Sequence, residues 1–118
     1  MNGICYSNDI FPDQRVMRGA AWLDTVKPGW HELVDTSDFH VFDPKRCVLG
    51  QVFREEADAH PDYSDGYTFA WEQRGLTSHN ITAFGFCTGG GFNSSELNKA
   101  WTIFITARQH IDAQVFSA

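Results

Sequence analysis

The sequence predicts a mainly α-helical protein, folded as one compact domain of residues 1–118 in a bundle of about four helices. The first observation behind this class is apolar spacing, because hydrophobic residues recur three and four positions apart within residues 13–26, 44–57 and 94–111. The second is that proline, glycine and short polar runs separate these segments. The third is composition: 42% of the 118 residues are hydrophobic and 14% are aromatic, which is enough to fill one core.

The first helix is expected to begin near Asp13, whose side chain suits a helix N-terminus, and to end at the Pro28-Gly29 pair. Trp30, with Leu33 and Val34, then predicts a short turn that packs back on the core. The apolar stripe of the first helix consists of Val16, Met17, Ala20, Ala21, Leu23 and Val26.

The second helix is expected over residues 44–57. Asp43 followed by Pro44 is a start signal, because proline suits the first helical position and the aspartate oxygen accepts a free backbone N–H. Gly50 costs about 1 kcal/mol relative to alanine inside a helix, so we expect another backbone to approach closely there. The predicted core face consists of Val48, Leu49, Val52 and Phe53.

A short third helix is expected over residues 66–74, with Gly75 as its stop. Residues 76–92 are expected to be irregular, with a brief strand or hairpin as the alternative. Periodicity does not separate a buried strand from an apolar loop over the seven residues 81–87.

The last helix has the best start signal in the chain. Asn93 and Glu96 form a capping box, and Phe92 with Leu97 matches a hydrophobic staple, so the helix is expected to start near Ser94. Its predicted core face is Leu97, Ala100, Trp101, Phe104, Ile105 and Ile111, with Lys99, Arg108 and Gln109 left for solvent.

Charge and cysteine usage exclude several function classes. The net charge of −6 opposes direct nucleic-acid binding, which depends largely on lysine and arginine. We expect no membrane association, because the sequence has neither a signal-peptide pattern nor a long apolar run, and we therefore expect a cytoplasmic protein. Cys5, Cys47 and Cys87 are odd in number and lack C-x-x-C spacing, so neither a disulfide framework nor a zinc site is indicated.

No catalytic set, metal site or cofactor motif is predicted. Gly89, Gly90 and Gly91 before a helix start have the outline of an anion cradle, yet the P-loop ending is missing and a flexible connector is favoured. Cys47 near a helix start has the position of a nucleophile, but no histidine pairs with it in the sequence and a buried structural thiol is favoured.

Two sets of residues are weak candidates for binding a partner protein. Phe39 and Phe42 lie among turn residues, so at least one of them is a candidate exposed anchor; the alternative is that both fold into the core. Residues 55–65 are acidic and contain a proline, which predicts a helix end followed by an exposed loop. The candidate acidic residues are Glu55, Glu56, Asp58, Asp62 and Asp65.

One segment resembles a known group of proteins. It carries Ala20-Ala21-Trp22-Leu23-Asp24, then Pro28-Gly29-Trp30, then Cys47-Val48-Leu49-Gly50-Gln51. This order of an alanine-rich helix, a "PGW" turn and a "CVLGQ" helix is similar to small uncharacterised proteins encoded by phages of actinobacteria. The resemblance covers residues 19–53 and, more faintly, the pair Leu97 and Trp101.

The resemblance implies a phage accessory protein that binds and modulates a host or competing-phage protein in the cytoplasm of the bacterial host. A sharper version is an acidic inhibitor whose surface mimics nucleic acid, with charge complementarity guiding the encounter. Two alternatives from other classes stay open. One is a small ligand-binding protein or enzyme that uses the loop of residues 89–95, and the other is a self-assembling structural protein.

Overall fold

Six α-helices and one 3₁₀ helix form within residues 12–41, 43–86 and 94–117, which are the residues that the computed structural model describes. These described ranges contain no β-strand, so the expected mainly helical class is confirmed. In chain order the elements are α1 (Pro12–Val26), the 3₁₀ helix (Trp30–Leu33), α2 (Val48–Val52), α3 (Arg54–Asp58), α4 (Gly66–Gln73), α5 (Ser78–Ala83) and α6 (Ser94–Ser117).

Helices α1 and α6 form the central pair. Gly19 lies where they meet, and a Cβ at this position would collide with the Phe84 carbonyl oxygen and approach the Trp101 ring to 3.0 Å. Trp101 donates from Nε1 to the Gly85 carbonyl at 2.7 Å, and its ring stacks on Phe86 at 5.7 Å between centroids. The turn after α5 is thereby fixed against the central pair.

The stripe predicted for α1 is correct in part. Val16, Ala20 and Leu23 are buried, whereas Met17 and Ala21 face solvent. The stripe is narrower than predicted because α1 buries its adjoining face against α5 and α6 and has no described element on the side of Met17. The apolar side chain of Met17 is therefore exposed to solvent.

The "PGW" turn builds the centre of the core. Gly29 has a φ of 84°, a conformation that glycine adopts without strain, and it turns the chain directly into the 3₁₀ helix. Trp30 is fully buried and donates from Nε1 to Asp24 Oδ1 at 2.9 Å. Its ring meets that of Trp101 edge to face at 6.1 Å. The predicted turn that packs on the core is therefore present, although Leu33 in it is exposed.

The single helix expected over residues 44–57 is wrong. Asp43 accepts from the Lys45 N–H with Oδ1 and closes a turn at residues 43–46, so the helix starts one turn later. Cys47 is the N-cap of α2, and Phe53 leaves helical geometry at φ −105° and ψ 19°, which separates α2 from α3. The predicted core face is correct, since Val48, Leu49, Val52 and Phe53 are all buried.

Two side-chain amides hold the irregular segment of residues 35–46. Gln51, buried in α2, accepts from the Asp35 N–H at 2.7 Å and donates to the Arg46 carbonyl at 2.9 Å and the Asp35 carbonyl at 3.3 Å. Asn98 on α6 accepts from the Val41 N–H at 2.7 Å. Backbone groups without secondary-structure partners are satisfied in this way.

The close approach expected at Gly50 is confirmed, and Gly66 takes part in it. A Cβ on Gly50 would collide with the Pro44 carbonyl oxygen and lie 2.6 Å from the Lys45 carbonyl carbon. A Cβ on Gly66 would lie 2.6 Å from the Gly50 carbonyl oxygen. Helices α2 and α4 therefore pack with their backbones nearly in contact.

Residues 76–86, the described part of the segment expected to be irregular, contain a helix. Residues 78–83 form α5, because Thr77 accepts from the Asn80 N–H at 3.1 Å and so caps a helix that the apolar pattern did not reveal. Residues 87–93, including the capping residue Asn93 and the three glycines, lie outside the described residues. The start of α6 at Ser94 agrees with the prediction.

Three residues of α6 differ from expectation. Ile111, placed in the core face, is 58% exposed. Arg108 and Gln109, expected in solvent, instead make tertiary contacts: Arg108 pairs with Asp24 at 2.8 Å, and Gln109 donates to the His31 and Val34 carbonyls. The Gln109 contacts tie the 3₁₀ helix to α6, and the Arg108 ion pair ties α1 to it. The buried face of α6 consists of Leu97, Trp101 and Ile105.

Candidate functional site

The Cys47 side chain has a structural role. Its Sγ accepts from the Gly50 N–H at 3.3 Å at the start of α2, and the residue is 3% exposed. The pKa of the thiol is raised to about 12, mainly because the side chain is buried; the nearby Asp65 and Asp43 charges contribute to the rise, and the Gly50 and Leu49 N–H groups oppose it. The thiol is therefore protonated at neutral pH and lacks the thiolate that a nucleophile requires.

The acidic candidates divide into two groups. Glu56 forms an ion pair with Lys27, the residue directly after α1, and Asp65 is the N-cap of α4, accepting from the Thr68 N–H at 2.7 Å. Both side chains contribute to the fold. The other three, Glu55, Asp58 and Asp62, are exposed and form no ion pair with any described residue. The free acidic surface is thus smaller than the sequence suggests.

The aromatic candidates give no exposed anchor within the described residues. Phe39 is 7% exposed and belongs to the core cluster. Phe42 lies outside the described residues. For Phe39, the alternative of a core side chain is the one observed.

Apolar side chains on α1 and α6 form an exposed strip, defined by Met17, Ile103, Ala107 and Ile111. Met17, Ile103 and Ile111 are 62%, 60% and 58% exposed. Met17 and Ile103 line one groove between the two helices, with a volume of about 260 Å³. Ile103, Ala107 and Ile111 follow at intervals of four residues along α6, which puts them on adjoining parts of one face.

Sequence reasoning missed this apolar strip. Met17 and Ile111 were assigned to core faces, and Ile103 was assigned to none. The available signal was the width of the apolar pattern on α6, which is broader than the face that packing on α1 and the 3₁₀ helix covers.

A cavity of about 390 Å³ lies between the turn at residues 41–47 and the start of α4. Its described walls are mostly apolar and carry one carboxylate, that of Asp65, and one aliphatic hydroxyl, that of Thr68. Residues more than forty positions apart in the chain meet here, so no local sequence pattern predicts the cavity. The described lining residues are Val41, Pro44, Cys47, Asp65, Tyr67, Thr68 and Phe86.

The described part of the chain contains neither a candidate metal site nor a candidate membrane-spanning helix. There, no three histidine, cysteine, aspartate or glutamate side chains are grouped so that they could hold a metal ion. None of the helices described is long and apolar enough to cross a bilayer. Comparison of the chain with protein-family models, with curated proteins and with solved structures found no match.

Proposed function

We propose that this chain acts by binding another protein, as a non-enzymatic phage accessory protein that modulates a protein of the bacterial host or of a competing phage in the host cytoplasm. The observation that carries the proposal is the apolar strip. Three large aliphatic side chains, each more than half exposed, lie on two packed helices. Apolar patches on the order of 300–600 Å² on a monomer are often interaction sites.

The geometry of the strip fits an apolar surface on a partner. The strip follows α6, and its Met17 end opens into the groove beside Val16 and Phe104. A partner side chain seated in this groove would contact mostly apolar atoms, with Asp13 as the one charged residue of the described lining, and such an apolar pocket is typical of a binding hot spot. The rest of the strip would then exclude water from the rim of the groove.

Charge favours a different protein over a second copy of this chain. Each copy carries a net charge of −6, so two copies repel each other over the distances at which they approach. A partner with a less acidic surface does not meet this repulsion.

The exposed carboxylates support the acidic-inhibitor version of this proposal. Glu55 and Asp58 lie three residues apart on α3, and Asp62 follows in the next loop, all without an ion pair among the described residues. Such a group attracts a basic surface and accelerates the encounter more than it tightens the final complex. The partner of this version is therefore a protein with a basic surface next to an apolar one.

The test compares Ile103→Gln with Leu33→Gln. Both residues are exposed aliphatics, but Leu33 lies on the 3₁₀ helix outside the strip. Tagged wild type and both variants are used to capture proteins from an actinobacterial lysate, and the captured protein is then purified and titrated. We expect Ile103→Gln to weaken binding at least tenfold, while Leu33→Gln binds as wild type does.

Two results would overturn the proposal. Equal affinity of wild type and Ile103→Gln would remove the strip from the interface. A wild-type dimer in light scattering that Ile103→Gln converts to monomer would assign the strip to self-assembly instead. For the acidic version, the triple variant Glu55→Gln, Asp58→Asn and Asp62→Asn should bind more slowly and with a weaker dependence on salt.

A further inference from the structure

The cavity beside α4 combines apolar walls with a carboxylate, of which one oxygen accepts a hydrogen bond from a described residue and the other does not. Asp65 accepts from the Thr68 N–H with Oδ1, and its second carboxylate oxygen accepts no hydrogen bond from any described residue. The wall around it is formed by Val41, Pro44 and Phe86. A cationic hydrogen-bond donor is the partner that binds a carboxylate most strongly in such surroundings, because the apolar walls lower the local dielectric constant.

The sign of the charge at this cavity is negative. Its described lining includes no lysine, arginine or histidine. Burial is the main reason for the raised pKa of the Cys47 thiol in the same wall, and the charges of Asp65 and Asp43 add to the effect. Asp43 is already paired with Arg46, which leaves Asp65 as the carboxylate available to a ligand.

We propose that this cavity binds a small organic cation, a primary ammonium group carried on a compact apolar body. The ammonium pairs with the free oxygen of Asp65, and the Thr68 hydroxyl lies on the same wall as a second acceptor. The apolar body packs on Val41, Pro44 and Phe86. The volume of about 390 Å³ lies within the range of small-molecule sites. This inference does not depend on the protein-binding proposal, which concerns another surface.

Both parts of the ligand are required by the geometry. A neutral apolar molecule would leave the carboxylate facing apolar atoms without a partner. An anion would meet Asp65 with no cation in the described walls. An ammonium without an apolar body would leave the walls unfilled and would keep its hydration shell, since the strength of an ion pair depends on excluding water.

The experiment uses benzylammonium as the probe and benzyl alcohol as its neutral counterpart of similar shape. Each is titrated into the full-length protein by isothermal calorimetry and followed by amide chemical shifts. We expect saturable binding of benzylammonium with shifts centred on residues 41–47, 65–68 and 86. Benzyl alcohol should bind at least tenfold more weakly.

Asp65→Asn is the matched variant. Asparagine caps a helix about as well as aspartate does, so α4 stays in place while the charge is removed. We expect Asp65→Asn to lose at least tenfold in affinity for benzylammonium and to bind benzyl alcohol unchanged. Thr68→Leu, which fills the cavity but keeps the backbone N–H that bonds Asp65, should weaken both probes.

Three results would overturn the proposal: no saturable binding of benzylammonium by the wild-type protein, equal affinity of wild type and Asp65→Asn, or amide shifts confined to other parts of the surface. Circular dichroism melts of both variants show whether each is folded. If Asp65→Asn is unfolded, the decision rests on the wild-type comparison of the two probes and on Thr68→Leu.

Discussion

Replacement of Gln51 by methionine tests whether one side-chain amide holds the segment of residues 35–46. Methionine has nearly the volume of glutamine, so the change leaves the packing intact and removes only polar contacts. Those contacts are the bonds to Asp35 N–H at 2.7 Å, to the Arg46 carbonyl at 2.9 Å and to the Asp35 carbonyl at 3.3 Å.

The expected loss is about 2 kcal/mol in the free energy of unfolding. Each of the two shorter hydrogen bonds contributes about 1 kcal/mol net, and the longer one contributes less. Asp35 is exposed, so water can replace part of the hydrogen bonding that its backbone N–H and carbonyl lose. The carbonyl of the half-buried Arg46 is less easily hydrated. For 118 residues an unfolding entropy of about 2.1 cal/mol/K per residue turns 2 kcal/mol into about 8 °C of melting temperature.

Urea unfolding followed by tryptophan fluorescence measures this loss, because Trp30 and Trp101 are fully buried and change environment on unfolding. Gln14→Met on the exposed face of α1 is the control and should change stability by less than about 0.5 kcal/mol. Hydrogen exchange gives a local measurement, since the Asp35 amide should exchange faster in Gln51→Met. A loss below about 0.5 kcal/mol, or an unchanged Asp35 exchange rate, would refute the reasoning.

Two further predictions concern the same motif. Gly50→Ala should destabilise the protein by about 1–3 kcal/mol, because the new Cβ meets the Pro44–Lys45 backbone. Helix propensity alone would favour alanine by about 1 kcal/mol. A gain in the free energy of unfolding, measured with urea, would therefore contradict the close approach. Burial raises the pKa of Cys47 from 9.0 to about 12, so above pH 9 the unfolded thiol loses its proton while the folded thiol keeps it. The free energy of unfolding of wild type relative to Cys47→Ala should therefore fall between pH 9 and pH 12, by at most about 1.4 kcal/mol per pH unit. If urea unfolding gives the same difference between the two proteins from pH 8 to pH 10.5, the prediction is wrong.

Helices with local signals were predictable from the sequence. These signals are the proline and glycine after α1, the Asn93–Glu96 pattern at the start of α6 and the apolar spacing within each helix. They act over a few residues, so the sequence displays them directly. The division of residues 44–57 was not predictable in this way. Helix α2 starts at Val48, after its N-cap Cys47, because the Asp43 carboxylate closes the preceding turn. An Asp-Pro pair suits both a turn and a helix start, and here the turn forms.

The candidate sites were less predictable than the helices, since both depend on contacts between distant segments. Met17 and Ile111 have the spacing of core residues, and only the packing of α1 on α6 shows that no described element covers them. The cavity brings Val41, Asp65 and Phe86 together from three segments. The acidic loop was visible in the composition, but the ion pair of Glu56 with Lys27 was not, because it joins positions 29 residues apart.

Residues of the alanine-rich, "PGW" and "CVLGQ" segments make contacts that hold the fold together. Asp24 and Trp30 join α1 to the 3₁₀ helix, Gly50 allows the Pro44–Lys45 backbone to lie against α2, and Gln51 holds the irregular segment. Side chains used in this way cannot vary without a loss of stability, whereas exposed side chains vary at little cost. A chain that keeps this motif thus keeps a scaffold, and the strip of Met17, Ile103, Ala107 and Ile111 lies outside the motif. If the protein binds a partner through that strip, exchanging its side chains should redirect the choice of partner while the melting temperature stays nearly constant.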